Sequence, residues 1–366
     1  MLRAGIVGLP NVGKSTLFNA LTAQQSALAA NYPFATIEPN VGVVAVPDDR
    51  LEPLAKIVKT QTIVPATIEF VDVAGLVRGA SQGEGLGNKF LAHIRETDMV
   101  IQVVRCFEDE SVVHVEGSID PRRDVETIQI ELALSDLATV ERRKDRVEKT
   151  AKSGDKAARA EVEVLDKLQG ALAEGKSART VKLTAEEREI ARSLFLLTIE
   201  PTVYAANVNE AVLANRDNDP HVQTLRKIAR DESAESVVIC AQLEAELVAL
   251  APEERRQYLH SLGDAGSGVD RLIKKAYHLL GLISFLTGGE KEVRAWTIPR
   301  GTRAQQAAGS IHSDIERGFI RAEVITYEDL QRSASYAAAR EKGLVRLEGK
   351  DYEIQEGDVV YFRFNV

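Results

Sequence analysis

Short apolar runs alternate with amphipathic stretches along most of the chain, and this alternation of buried strands with helices is typical of an α/β fold. The run LRAGIVGL ends in glycine, and STLFNALTA follows it at helical spacing. The later apolar runs ATIEFVDVAGL, MVIQVVRC and PTVYAANV have the length of further strands. A long amphipathic segment, VDRLIKKAYHLLGLISFLT, is predicted to be the helix that closes this part of the chain.

A long, charged helical pattern interrupts the series of strands. It covers residues 122–173 and contains one turn signal, the KSGDK stretch around Gly154, so two antiparallel helices are predicted. Apolar residues become sparse after Val140, and the tip of this hairpin is therefore expected to be solvated. A further helix, TAEEREIARSLFLLT, opens with a capping box formed by Thr184 and Glu187.

The C-terminal pattern predicts a compact β-rich unit. EVRAWTI, IRAEVIT, DYEIQ and DVVYFRFNV have the length of short strands, and RAQQAAGSIHSDIERGF predicts one main helix. Nothing in this unit has a catalytic pattern, so docking or regulation is its expected work. Trp296 and Tyr361 are either core residues or interface aromatics.

Composition and charge narrow the possible classes of protein. The 366 residues carry a formal net charge of −9, which argues against nucleic-acid binding by the whole surface. Two cysteines give no disulfide framework, no N-terminal leader pattern is present, and no apolar run approaches the ~20 residues that span a bilayer. We expect a cytoplasmic, monomeric protein without membrane contact.

The hairpin tip is locally basic in this acidic protein. Residues 142–159 contain eight Lys or Arg against three acidic residues. Such a run is either an exposed face laced with salt bridges or a surface that contacts RNA or an acidic partner.

Candidate chemistry begins with the segment from Gly8 to Ser15, which fits the pattern G-x-x-x-x-G-K-[ST] between a strand and a helix. The backbone N–H groups of such a loop surround phosphate oxygens, and the helix adds its positive N-terminal end. Lys14 is predicted to reach the β- and γ-phosphates, and the Ser15 hydroxyl to bind Mg²⁺. The predicted nucleotide-binding residues of this loop are Asn11, Val12, Gly13, Lys14, Ser15 and Thr16.

Two further residues are candidate metal ligands. Thr36 lies in a proline-flanked loop, and Asp72 ends a strand just before the turn at Gly75, as the metal-binding aspartate of P-loop proteins does. The glycine-rich stretch VRGASQGEGLGNKFLAHI follows directly. It is interpreted as a loop that the nucleotide orders, and a floppy surface loop is the alternative.

The stretch YAANVNEA stands where a GTPase carries Asn-Lys-x-Asp, the pair that recognises guanine. Here Val208 replaces the lysine and Glu210 the aspartate, while Asn207 is kept and is predicted to bond the N6/N7 edge of adenine. Val208 is expected to face the ring and to leave its backbone groups free for the base edge. The longer Glu210 spoils the paired acceptance of the two guanine donors. A promiscuous site is the alternative.

Several stretches together resemble the Obg-like ATPase family, the YchF-type proteins. They are GLPNVGKST, DVAGLVRGASQGEGLGNKFL, NVNE, VRAWTIPRGTRAQQAAGSIHSD, GFIRAEVI and EGDVVYFRFNV, and they span nearly the whole chain. The resemblance implies an α/β P-loop NTPase, in which a G domain is interrupted by a helical hairpin and followed by a small ubiquitin-like TGS domain. The predicted boundaries are 1–121 with 200–281 for the G domain, 122–199 for the hairpin with its return helix, and 282–366 for the TGS domain.

The resemblance also implies site residues beyond the phosphate loop. Phe107 resembles a position near the adenine pocket, with core packing as the alternative. His114 resembles a residue that positions the attacking water, since Leu76 stands where small GTPases have glutamine; a solvated loop histidine is the alternative. Asn11 matches an asparagine that holds K⁺ in related NTPases. Cys240 and Ala241 lie where GTPases place a backbone cover over the base.

The function implied is a Mg²⁺-dependent ATPase switch that hydrolyses ATP to ADP and phosphate and regulates a partner in translation. By resemblance the partner is the ribosome or its RNA, contacted through the basic hairpin, the TGS domain or both. Two alternatives remain: an Obg-type GTPase in ribosome assembly or translation, and a nucleotide-sensing scaffold whose hydrolysis is incidental.

Overall fold

The computed structural model describes residues 2–23, 40–73, 86–109, 117–262 and 266–365. Its strands are β1 (Arg3–Val7), β2 (Val41–Ala45), β3 (Ile63–Val64), β4 (Thr67–Asp72), β5 (Met99–Arg105), β6 (Thr202–Asn207), β7 (Glu235–Ile239), β8 (Leu282–Gly288), β9 (Val293–Pro299), β10 (Phe319–Thr326), β11 (Arg346–Glu348) and β12 (Asp358–Phe364). Its helices are α1 (Lys14–Ala23), α2 (Leu51–Val58), α3 (Leu86–Arg95), α4 (Pro121–Lys152), α5 (Lys156–Ala173), α6 (Ala185–Arg192), α7 (Glu210–Ala214), α8 (Pro220–Asp231), α9 (Ala241–Leu247), α10 (Pro252–Ser261), α11 (Gly268–Leu279), α12 (Ala304–Gly309), α13 (Ser313–Arg317), α14 (Tyr327–Ser333) and α15 (Tyr336–Glu341).

The first sheet has the strand order β2-β4-β1-β5-β6-β7, and the pairs from β4 to β7 are parallel. Every residue of β5 and β6 is buried, which is the burial expected for central strands of a parallel sheet covered on both faces. Parallel strands end at one edge, so the loops after β1, β4, β5, β6 and β7 come together there. The predicted α/β fold is confirmed.

The inserted hairpin consists of α4 and α5, as the sequence predicts. The Asp120 and Asp155 side chains cap the two helices, and Gly154 makes the turn with φ = 99°. A small apolar cluster of Val147, Ala151, Ala158 and Val162 joins the helices near the tip. The tip is therefore better packed than the sparse apolar pattern suggests.

The base of the hairpin is fixed by a buried carboxylate. Asp136 of α4 accepts hydrogen bonds from the backbone N–H groups of Leu197 and Thr198, both at 2.8 Å, and from the Thr198 hydroxyl at 2.7 Å. Three donors compensate for the desolvation that raises the pKa of this carboxyl group. α6 begins at the predicted capping box of Thr184 and Glu187.

The long helix predicted over VDRLIKKAYHLLGLISFLT is wrong in its second half. α11 ends at Leu279, Gly281 has a positive φ of 68°, and the apolar residues that follow form the strand β8. The left-handed conformation of a glycine just beyond the last turn is a frequent helix stop. The run LISFLT alone cannot distinguish a buried strand from the last turns of a buried helix.

The C-terminal sheet has the order β11-β10-β12-β8-β9-β3. The predicted single helix is split into α12 and α13, and α14 and α15 were not predicted. DYEIQ makes one isolated bridge, from Glu353 to Arg303, instead of a strand. Trp296 is half-buried, stacks on Phe285 and donates to the Thr287 hydroxyl at 2.9 Å, whereas Tyr361 is 62% exposed.

The chain divides into two compact units. Among described residues, the first contains those up to Gly42 and Glu69–Leu272, and the second contains Val43–Ile68 and those from Ile273 onward. The sequence prediction places residues 43–68 in the G domain. In the structure, α2 packs on β8, β9 and α14, and β3 pairs with β9. Among the residues that the structure describes, no helix is both long and apolar enough to cross a membrane.

Within the second unit, Arg50 is the ionic centre that ties residues 43–68 to the C-terminal strands. Its guanidinium contacts Asp48 at 2.7 Å and Glu356 at 2.5 Å. The second Glu356 oxygen accepts from the backbone N–H of Ser284 at 3.0 Å. Gly357 leaves room for this arrangement, because a Cβ there would lie 2.6 Å from the Arg50 side chain.

One acidic group in the first unit makes stability depend on pH. Burial, with the nearby charges of Asp98 and Asp136 against that of Arg192, raises the pKa of Glu200 to about 7. The folded state therefore binds a proton that the unfolded state releases, and the free energy of unfolding falls as pH rises from about 4.5 to 7. Glu200→Gln is expected to stabilise the first unit by about 1–2 kcal/mol at pH 8 and to have little effect near pH 4.5.

Urea denaturation at the two pH values measures this difference. Glu163→Gln, at an exposed position of α5, is the matched control and should change stability equally little at both. An equal effect of Glu200→Gln at both pH values would contradict the assignment.

Candidate functional site

A cavity of about 850 Å³ lies at the carboxyl edge of the first sheet. Four loops line it, those following β1, β5, β6 and β7. This is the place where open α/β sheets bind ligands. The lining residues comprise Leu9, Pro10, Asn11, Gly13–Thr16, Phe107–Asp109, Asn207–Glu210, Cys240–Leu243 and Glu246.

The loop after β1 has the backbone of a phosphate-binding loop. Asn11 and Gly13 both have positive φ, at 62° and 90°, and α1 begins directly at Lys14. These two left-handed residues turn the chain sharply into the N-terminus of a ten-residue helix, where N–H groups and the helix dipole favour an anion. Of the predicted phosphate-loop residues, Val12 alone is not among those that line the cavity, because its side chain is buried.

Lys14 and Asp72 form an ion pair through Nζ and Oδ1. Register places Asp72 beside Ile6 of the neighbouring strand, so its carboxylate ends β4 next to the phosphate loop. Ser15 lies at the start of α1 in the same cavity. A hydroxyl and a carboxylate are hard oxygen donors of the type that Mg²⁺ prefers, and this donor set fits that ion.

Three predicted features fall outside the described residues. They are Thr36, His114 and the glycine-rich stretch before Leu86. Their assignments remain predictions from the sequence.

Asn207 joins three loops at the back of the cavity. Its Nδ2 donates to the Val12 carbonyl at 2.9 Å, and its Oδ1 accepts from the Ala241 N–H at 3.0 Å. The side chain is only 5% exposed, and a Cβ on Gly13 would lie 2.2 Å from Nδ2. The sequence predicts that this amide bonds the edge of a purine. In the structure it holds the phosphate loop against the loop after β7.

Val208 lines the cavity as predicted, but most of its side chain belongs to the core and its backbone N–H is not free. Its side chain is 2% exposed and packs in the core cluster that also contains Val104, Leu213 and Leu243. Its backbone N–H donates to the Ile239 carbonyl at 2.8 Å, continuing the β6–β7 ladder. The N–H expected to be free for a base is therefore used by the protein, because it bonds the neighbouring strand β7.

Glu210 is the first residue of α7, and the Asn209 side chain caps that helix by accepting from the Val212 N–H at 2.9 Å. The Glu210 carboxylate lines the cavity and accepts from the Tyr258 hydroxyl of α10 at 2.9 Å. Tyr258 lies almost fifty residues from NVNE, and nothing in its local sequence marks it as a neighbour of the site.

Phe107 lines the cavity, and it is held by Arg105, which is not among the site residues predicted from the sequence. The Arg105 guanidinium lies 4.7 Å from the Phe107 ring centroid, and it donates to the carbonyls of Phe107 and Asp109, both at 3.1 Å. Arg105 is among the most deeply buried large side chains of the protein. A charged residue at the end of the apolar run MVIQVVR was the available signal. The buried cation fixes the loop that presents the aromatic ring.

The loop after β7 supplies the remaining wall. Cys240 precedes α9, and burial raises the pKa of its thiol, so this side chain stays neutral near pH 7. Ala241 is buried, and its N–H already bonds Asn207. Both residues lie at the cavity, as the cover position predicts, but the Ala241 amide faces the protein.

Two family profiles match the chain. One, described as a 50S ribosome-binding GTPase, matches residues 3–141, and the other, named YchF-GTPase_C and described as a protein of unknown function, matches residues 282–365.

Full-length relatives are also similar. The Ribosome-binding ATPase YchF of Bacillus subtilis is 53% identical over 365 residues and covers 100% of both chains. That of Haemophilus influenzae is 53% identical over 364 residues, with 100% of this chain and 99% of the relative covered. The solved Schizosaccharomyces pombe YchF GTPase has a TM-score of 0.89 and 37% identity, covering 99% of this chain and 97% of that one.

The bonds of Asn207 give a test that separates loop positioning from purine selection. Asn207→Ala leaves the Val12 carbonyl and the Ala241 N–H unpaired. At about 1 kcal/mol for each hydrogen bond, we expect roughly tenfold to hundredfold weaker binding of ATP and of GTP alike. Isothermal titration calorimetry with both nucleotides measures the change.

The control is Asn218→Ala, which alters an exposed asparagine outside the cavity lining. A change in the ratio of ATP to GTP affinity in Asn207→Ala would show instead that this amide selects the base.

Proposed function

This chain belongs to the YchF family, and on that premise we propose that it is a Mg²⁺-dependent ATPase switch that hydrolyses ATP to ADP and phosphate and acts on a ribosome-associated partner. The observation that supports it most is the joint presence, in one cavity, of a phosphate-binding loop and the NVNE segment. Its full-length relatives carry the name ribosome-binding ATPase.

The protein's own groups divide the work on the triphosphate. The N–H groups of the loop around Gly13 and the N-terminus of α1 bind phosphate oxygens, and the Lys14 ammonium adds a mobile positive charge. Ser15, Asp72 and Thr36 would hold Mg²⁺, which when bound neutralises phosphate charge. The Lys14–Asp72 ion pair supports this assignment, since it brings the phosphate-binding cation and the metal-binding carboxylate into contact.

Positioning of the attacking water is assigned to His114, and a K⁺ site to Asn11. Two observations support the second assignment: Asn11 has a left-handed backbone inside the predicted phosphate loop, and it lines the cavity. Turnover should therefore be higher in KCl than in NaCl at equal ionic strength, and equal rates would remove the K⁺ assignment.

A GTPase is the second candidate, since the profile of residues 3–141 and the solved S. pombe relative both carry that word. Guanine offers two adjacent donors, and a carboxylate with two available acceptor oxygens suits them. The Glu210 carboxylate is directed toward the Tyr258 hydroxyl of α10, which disfavours this pairing. A missing hydrogen bond of this kind separates close analogues because buried polar groups are left unpaired.

Side-by-side calorimetry of ATP and GTP with purified protein decides between the two. We expect ATP to bind at least about tenfold more tightly, corresponding to one or two hydrogen bonds of difference. Lys14→Ala should abolish turnover and serves as the control for contaminating ATPases. Tight GTP binding without measurable ATP binding would overturn the proposal.

We assign the proposed ribosome contact to the basic tip of the hairpin. In the described part of the chain, several tip cations already have acidic partners, including Arg143 with Glu161 and Lys144 with Asp166. The exposed tip also carries Arg146, Lys149 and Lys156, for which the same part of the chain shows no ion pair. Phosphate contacts by such side chains give binding that weakens with salt.

Two matched triple variants separate the hairpin from the C-terminal domain. Charge reversal of Arg146, Lys149 and Lys156 to Glu should reduce cosedimentation with ribosomes at least about tenfold, with a shallower salt dependence. The control reverses three exposed cations of the C-terminal unit, Arg300, Lys342 and Lys350. A loss confined to the control variant would assign the contact to the C-terminal domain.

A further inference from the structure

The side chain of Glu210 points from the start of α7 to a neighbouring helix. Its Oε1 accepts a hydrogen bond from the Tyr258 hydroxyl at 2.9 Å, and this contact joins α7, whose first residue lines the cavity, to α10. Both residues keep access to solvent. An aspartate at the same position is one methylene shorter and would bring its carboxylate less far toward α10.

The partner helix has a defined position. Leu259, next to Tyr258 in α10, is buried in the same core cluster as Leu243 and Leu247 of α9. The Arg255 side chain donates to the Leu247 carbonyl at 3.1 Å. Leu259 and Arg255, on adjoining turns, hold α10 against α9. This packing fixes the position from which the Tyr258 hydroxyl donates to Glu210.

The hydrogen bond matters because of what each purine offers. Guanine presents N1–H and an exocyclic amino group, which together need two acceptor oxygens of one carboxylate. Adenine presents a bare N1 lone pair, which a carboxylate repels. A donor on α10 that turns the carboxylate toward that helix therefore weakens guanine binding and relieves the repulsion of adenine.

We propose that Tyr258 is a positioning residue for purine selection, which holds the Glu210 carboxylate away from the base and so disfavours guanine. The inference rests on the proposed ATP preference and names a residue that enforces it. Tyr258 acts through Glu210. Its contribution therefore disappears when the carboxylate is absent.

The electrostatics of the pair agree with this arrangement. The hydrogen bond to Glu210 and the charge of that carboxylate raise the pKa of the Tyr258 phenol. The negative charge of Glu246, which also lines the cavity, acts in the same direction. The phenol thus stays protonated and available as a donor across the physiological range.

The test measures ATP and GTP affinities by calorimetry in wild type and in Tyr258→Phe. The phenylalanine keeps the ring and removes only the hydroxyl. We expect GTP affinity to rise about fivefold, the factor for one net hydrogen bond, while ATP affinity stays equal or falls slightly. Tyr361→Phe, which alters another exposed tyrosine, in the C-terminal unit, is the matched control and should leave both affinities unchanged.

A double-mutant cycle with Glu210→Gln excludes an indirect structural effect. In the Glu210→Gln background, Tyr258→Phe should change neither affinity, because the carboxylate that it positions is gone. The phenol provides a second readout. Its titration, followed by tyrosinate absorbance as the difference between each protein and its Tyr258→Phe form, should move to lower pH in Glu210→Gln.

The outcomes of the two proposals are distinguishable. If the wild type prefers GTP, the ATPase proposal is refuted. The role of Tyr258 is then judged by GTP affinity alone: a rise in Tyr258→Phe supports it, and no change overturns it. Wild type that prefers ATP, with an unchanged affinity ratio in Tyr258→Phe, overturns the role of Tyr258 alone. An equal loss of both nucleotides in Tyr258→Phe would make Tyr258 a structural residue and also overturns the inference.

Discussion

A single buried amide holds the nucleotide cavity together. Asn207 ends a fully buried central strand, and its two hydrogen bonds reach the Val12 carbonyl on one side and the Ala241 N–H on the other. The loops that these bonds connect come from β1 and β7, which are not neighbours in the sheet. The loop after β1 and the loop after β7 therefore share one support, and Gly13 is required because any larger residue would displace the Asn207 amide.

Around this support, the proposed selection of the base depends on side chains at the edge of the cavity. Val208 and Ala241 use their N–H groups inside the protein, and Phe107 is carried by the buried Arg105 cation. In the proposed selection of adenine over guanine, the deciding feature is the direction of the Glu210 carboxylate, which accepts from Tyr258. The names of the relatives include both ATPase and GTPase, and this geometry gives a physical reason to expect the first.

Local patterns predicted the features that local physics determines. The phosphate loop, the strand that ends at Asp72 and the helical hairpin with its turn at Gly154 all follow from short-range spacing and turn chemistry. The pattern could not decide between strand and helix for LISFLT, since both are continuous apolar runs once buried. It also could not show that Asn207 and Val208 form their hydrogen bonds within the protein, because their partners lie 195 and about thirty residues away in the chain. Tyr258 was missed for the same reason, since its partner Glu210 lies 48 residues away. By contrast, Arg105 bonds the nearby carbonyls of Phe107 and Asp109 and could have been found from its charge at the end of an apolar run.

The excursion of residues 43–68 into the second compact unit bears on how this architecture is inherited. Helix α2 completes the core built by β8, β9 and α14, and Arg50 joins it to Glu356. A recombination event with one crossover near residue 273 would bring in a new C-terminal half without the helix that fits it. An exchange of the C-terminal half alone would therefore leave its sheet without the helix that packs on it.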